Sequence, residues 1–67
     1  MIRLTRIDGR WFFLNADLIE TVEALPDTTI TLINGKKYIV KESAEEVVQR
    51  VIEYKRKIFN WWKEQGR

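Results

Sequence analysis

Residues 28–41, Thr28-Thr29-Ile30-Thr31-Leu32-Ile33-Asn34-Gly35-Lys36-Lys37-Tyr38-Ile39-Val40-Lys41, read as two short strands joined by a tight turn. Asn34-Gly35 suits a type I′ hairpin, where both central residues take positive φ and the turn twist matches the strands. Ile30 and Leu32 point to one face while Thr29, Thr31 and Ile33 point to the other. Tyr38 and Val40 oppose Lys37, Ile39 and Lys41 in the same way. A period of two over both segments is a strand signal that no helix would produce.

Working backward, Asp8-Gly9 repeats the turn signal between Ile2–Ile7 and Arg10–Leu14. Ile2 and Leu4 share a face with Arg3 and Thr5 on its reverse. Leu18–Ala24 reads as a further strand, returned by Leu25-Pro26-Asp27-Thr28, with proline presetting φ in the turn. The segments predict a meander of about five antiparallel strands over residues 2–41. Ile33, Ile39 and one of Trp11 and Phe12 fall on the face opposite the core. A sheet apolar on both sides either curls or covers its second face with another chain.

Working forward, Ser43 and Glu46 have capping-box spacing, and Glu45 and Glu46 suit the positive end of a helix. Val47, Val48, Val51, Ile52, Ile58, Phe59 and Trp62 then recur at helical spacing. Glu46–Arg50 and Glu53–Lys57 are i, i+4 pairs on the other side. The pattern predicts one amphipathic helix over about 44–64, with Gly66 as its stop. Its apolar arc spans roughly half the circumference, flanked by Tyr54 and Trp61 on one side and Ile52 and Phe59 on the other. Phe59 and Trp62 are expected to finish the core, whereas Trp61 is expected at a contact with another chain. Lys55 projects near the centre of the arc, where it either snorkels or faces a partner's carboxylate. The fold class is therefore α+β, a curled antiparallel meander and one long C-terminal helix.

Sixty-seven residues make one small domain. A core of this size rarely supplies more than ~3–5 kcal/mol without help. There are no cysteines and no histidines, which removes disulfides and the usual ligands of zinc and other transition metals. Self-association or docking on a larger protein is the remaining source of stability, so a homo-oligomer or a subunit is expected. Charges interrupt every apolar run near Met1, and no run approaches the ~18 residues of a membrane span. The expectation is a cytoplasmic protein with no transmembrane segment, for which contact with a membrane surface stays open.

No catalytic constellation emerges, and no activity as an enzyme is expected. Without histidine or cysteine, a general base would have to be a carboxylate, lysine or tyrosine of shifted pKa. Glu20 and Glu23 are three apart on a strand, where strict alternation sends them to opposite faces. Asp17 and Asp27 sit at turns, where aspartate bonds its own backbone. The three glycines are isolated, which excludes a phosphate loop. A net charge of +2 is too small to argue for nucleic acid by itself. Arg3, Arg6, Arg10, Lys36, Lys37 and Lys41 beside aromatics make a small nucleic-acid-binding regulator the second reading. Asp8, Glu20, Glu23 and Asp27 interrupt that basic track. The Lys55-Arg56-Lys57 cluster, continued by Lys63 and Arg67, suits the negative end of the helix.

Ile2-Arg3-Leu4-Thr5-Arg6, Leu14-Asn15-Ala16-Asp17-Leu18-Ile19-Glu20, Pro26-Asp27-Thr28, Gly35-Lys36-Lys37-Tyr38 and Lys41-Glu42-Ser43, in that order and spacing, resemble the small bacterial flagellar proteins of the FlbD or SwrD family. The resemblance covers about residues 2–58. It implies a non-enzymatic accessory role in flagellar motility and swarming, supporting motor power through the stator units at the cytoplasmic face of the motor. It implies no cofactor. Much of the shared pattern has structural work in turns and caps. Asn15, Asp17 and Glu20 have less, and are candidates for a partner contact. Tyr54, Lys55 and Trp61 are candidates for an oligomer or partner interface.

Overall fold

The computed structural model describes residues 1–66. Strands β1 (Ile2–Thr5) and β2 (Trp11–Leu14) pair antiparallel, with Ile2 opposite Leu14 and Thr5 opposite Trp11. A 3-10 turn, Ala16–Leu18, leads into β3 (Ile19–Glu23), β4 (Thr28–Leu32) and β5 (Lys37–Val40), an antiparallel sheet in that order. Helix α1 (Ala44–Gly66) follows. Five antiparallel strands and one C-terminal helix are what the sequence predicts, and the meander is broken once. β2 and β3 share no ladder; β1 meets β5 instead, through the Arg6–Val40 bridge and the Lys41 N–H donated to the Thr5 carbonyl at 2.9 Å. Across the molecule the strands therefore run β2-β1-β5-β4-β3.

Both hairpins close differently from the expected type I′ form. Among the described residues φ is positive only at Gly9 (95°) and Gly35 (90°), so Asp8 and Asn34 stay in ordinary conformations. The Gly9 N–H donates to the Arg6 carbonyl at 2.9 Å and the Arg6 N–H to the Arg10 carbonyl at 2.7 Å. Gly35, Leu32 and Lys36 repeat this at 2.9 and 2.8 Å. Each is a three-residue loop whose last member, a glycine, takes the left-handed position. The reason is the side chain before the glycine. Asp8 Oδ1 accepts from the Arg10 N–H and Asn34 Oδ1 from the Lys36 N–H, both at 3.0 Å. That bond fixes the Asx residue and passes the left-handed conformation to the glycine.

Alternation places the core. Ile2 and Leu4 of β1, Leu14 of β2, Ile30 and Leu32 of β4, and Val40 of β5 are buried together with Ala16 and Val47. Leu4, Ile30 and Val47 are wholly excluded from solvent, so both sheets and the helix share one core. Fully burying a side chain of this kind contributes about 1.5–3 kcal/mol.

The helix begins as its sequence predicts, with the Glu46 N–H donated to Ser43 Oγ at 3.1 Å. The return arm of the capping box does not form. Glu46 turns instead to Arg50, whose Nη2 lies 2.7 Å from Glu46 Oε2. The second predicted helix pair, Glu53–Lys57, makes no ion pair among the described residues. Val47 is buried and Val51 and Tyr54 are half-buried, but every residue from Lys55 to Glu64 is exposed. Phe59 and Trp62, expected in the core, are 61% and 63% exposed. The cause is length. Strands of four or five residues reach ~13–17 Å, whereas a helix of 23 residues reaches ~34 Å. The helix outruns its sheet, giving overall dimensions of 44 × 23 × 18 Å. Gly66, the expected stop, is the last helical residue described, and Arg67 lies outside the described residues.

Candidate functional site

The outward face of β1 and β2 carries a solvent-facing aromatic pair. Leu14 is buried, so parity turns Phe12 inward and both Trp11 and Phe13 outward. Their rings meet edge-to-face, with centroids 5.5 Å apart at 79°, and the Arg3 guanidinium lies 5.5 Å over Trp11. Trp11 and Phe13 are about three-fifths exposed. The sequence predicts one aromatic here and the structure supplies two. Ile7, Ile33 and Ile39 are also exposed.

Of the three polar candidates near β3, Asn15 has a structural task. Its Oδ1 accepts the Asp17 N–H at 3.0 Å and so starts the 3-10 turn. Asp17 and Glu20 are both exposed. Asp17 Oδ1 lies 3.4 Å from Lys55 Nζ, joining the first candidate group to the helix. Lys55 thus finds a carboxylate of its own chain, where the sequence left open a partner's. Both ends of that pair are largely solvated, and exposed pairs contribute little. Glu20 occupies a register shift in β3 between Ile19 and Thr21. Such a bulge resets the alternation, so Ile19 and Val22 both turn inward and Glu20 and Glu23 are both exposed. The expected opposition of those two carboxylates does not hold.

Tyr54 and Trp61 share a shallow apolar groove with Lys57 and Ile58 on one flank of α1. Lys55 projects from the neighbouring flank. Of the apolar members of this set, Tyr54 packs against the core.

Two of the basic residues of the sheet, Arg6 and Arg10, are engaged within the chain. Arg6 stacks over Phe12 at 4.5 Å and Tyr38 at 5.5 Å, capping the inner aromatic pair. Arg10 is tied to Asp8, with Nη2 2.8 Å and Nε 2.9 Å from Oδ2. The hydrogen bonds and charge of Arg10 hold the Asp8 carboxyl below its usual range. Among the described residues, no three acidic side chains come together as metal ligands. No described helix is long and apolar enough to cross a membrane.

The buried carboxylate of Glu42 was not singled out from the sequence. Its Oε1 accepts the Thr5 N–H at 2.9 Å, and its Oε2 accepts the Thr5 hydroxyl at 2.8 Å and Arg50 Nη1 at 3.3 Å. Arg50 Nη1 donates as well to the Arg3 carbonyl. Burial by itself would raise the pKa of Glu42, but the bonds from Thr5 and the charge of Arg50 outweigh it and hold the carboxyl below its usual range. Three bonds from inside the chain hold this buried carboxylate, so Glu42 fastens α1 to β1 and is committed to structure. Tyr38, Val40 and Glu42 share parity, and that was the signal that marked it.

A family model described as FlbD, flagellar and swarming motility proteins, matches residues 1–59, which span all five strands and the docked part of the helix. No curated protein and no solved structure matches the chain.

Proposed function

Because the chain belongs to the FlbD family of flagellar and swarming motility proteins, we propose that it supports motility by non-covalent protein contact, without enzymatic chemistry. The contact raises the power delivered by the flagellar motor, through its stator units, from the cytoplasmic side. The observation that carries this reading is the family match over 1–59, which contains the exposed Trp11–Phe13 pair and the Asp17 and Glu20 carboxylates. Tryptophan beside arginine is the composition of interface anchors, because large rigid rings bury area at low entropic cost. Among the described residues the buried carboxylate, Glu42, is consumed by structure, which supports a binding role over a catalytic one. The action is mass action on a motor conformation, and no cofactor is required for it.

The test is rotation of tethered cells under load, with filaments counted. Strains lacking the gene, complemented with wild type, or complemented with Trp11→Ser/Phe13→Ser are compared. Normal filaments turning with reduced torque, restored by wild type and not by the double variant, are expected. Lost filaments with normal torque per surviving motor would move the protein to expression or assembly, and would favour the nucleic-acid reading.

A further inference from the structure

Val47, Val51, Tyr54, Ile58 and Trp61 follow one another at spacings of four, three, four and three residues. That is the seam of a helix built to lie along another element, with two apolar positions in every seven. The first three of these residues are buried or half-buried against the sheet, and the last two are exposed beyond it. The seam therefore continues for about two turns past the end of its own partner surface. Trp62 lies beside it, 63% exposed.

The flanks of this overhang say what covers it. On one flank, Lys57 and Glu64 are seven residues apart; on the other, Lys55 and Trp62 are seven apart. When two helices pair antiparallel, like flanks meet in reversed order, and when they pair parallel, opposite flanks meet. Setting Ile58 of one copy against Trp61 of a second, antiparallel, brings Lys57 opposite Glu64 and Glu64 opposite Lys57. The same register lays each Trp62 on the methylene stem of the other copy's Lys55, whose head leans toward its own Asp17. A parallel pairing instead sets Lys57 against Trp62 and forms no Lys57–Glu64 pair. The two sheets also fit, since antiparallel copies place them at opposite ends of the shared seam. With two tryptophans, an isoleucine and part of a tyrosine per copy, the pair buries on the order of 1,000 Å² in total, near the threshold for a specific interface.

We infer that two copies of this chain form an antiparallel helix pair through the overhang of α1, centred between Ile58 and Trp61 and oriented by reciprocal Lys57–Glu64 ion pairs. The pairing is independent of the motility reading and leaves the Trp11–Phe13 face free.

The experiment is sedimentation equilibrium of the full chain over ~1–300 μM, the range expected of an interface of this size. The wild type, Lys57→Glu, Glu64→Lys and the double swap are compared, and far-UV circular dichroism checks that each keeps its helix. The wild type should shift from one-chain to two-chain mass. Each single variant, which turns two attractions into two repulsions, should weaken dimerisation roughly three- to tenfold. The double swap recreates both attractions and should recover wild-type behaviour. Four indistinguishable curves, or single variants that dimerise normally, would overturn the orientation. A wild type that stays monomeric throughout would overturn the pairing, and its co-sedimentation with phosphatidylglycerol vesicles would assign the overhang to a lipid surface.

Discussion

The two halves of α1 have nearly the same apolar character and opposite circumstances. From Ala44 to Tyr54 the helix is held by Ser43 at its start, by Val47 in the core, and by Arg50 reaching Glu42 and the Arg3 carbonyl. From Lys55 onward, Ile58, Phe59, Trp61 and Trp62 are all exposed. Periodicity says which side of a helix is apolar. It does not say whether the surface opposite is long enough to use that side. Here the strands are too short, and the same stripe serves folding at one end and is left for association at the other.

The sharpest way to break this contrast is to place a charge in the docked half. Val47→Asp puts an unpaired carboxylate where no solvent reaches, and its cost should exceed the ~3–5 kcal/mol a domain of this size can hold. Circular dichroism should show an unfolded chain. A folded Val47→Asp protein would mean the helix is not docked through that residue.

Glu42→Gln is the next largest. It keeps the shape and removes the charge that Thr5 and Arg50 share, for a loss of about 1–3 kcal/mol in urea unfolding at pH 7. The sign of its pH dependence is set by the folded carboxyl lying below its unfolded value. Such a group stabilises the fold fully above the ordinary carboxylate range, and that contribution is lost as pH falls through the folded value. The wild type should therefore weaken on acidification more steeply than Glu42→Gln. Equal slopes would show that Glu42 is not a fastening of α1 to β1.

Much of the docked region was legible in the residues. The Asx-Gly pairs located both hairpins, and the parity of Ile2, Leu4, Ile30, Leu32 and Val40 located the core. Ser43 marked the start of the helix. What escaped has physical reasons. The turn class depended on an Asx side chain bonding two residues ahead, which keeps Asp8 and Asn34 out of the left-handed region. The bulge at Glu20 has no marker in composition, yet it changes the facing of everything after it in β3. Trp11-Phe12-Phe13 has no polar residue to set parity, so only the burial of Leu14 shows which rings face out. Glu42 reads as one more acidic residue at a helix start until parity is carried past Val40. For the candidate surfaces, residue type was legible and proximity was not. Asp17 and Lys55 are 38 positions apart in a chain with 22 charges (12 basic plus 10 acidic), and nothing local pairs them.

The smallest expected effect is the most discriminating. Phe59 and Trp62 lie on the apolar arc, and by periodicity alone they would be core residues whose truncation costs about 3–5 kcal/mol. In the structure they touch no part of the buried cluster, so Phe59→Ser/Trp62→Ser should change the stability of dilute protein by less than ~0.5 kcal/mol. The measurement is urea unfolding at a concentration well below that of pairing. Repeating it at high concentration adds a second contrast, because a dimer stabilises the folded state by mass action. The wild-type midpoint should then rise with concentration, and that of the double variant, which keeps Ile58 and Trp61 but loses the flanking Trp62, should rise less. A large loss in dilute solution would mean that the overhang folds back onto the sheet. No loss in dilute solution, together with a weakened concentration dependence, would mean that one stripe does two jobs, folding the chain up to Tyr54 and joining it to its copy from Ile58.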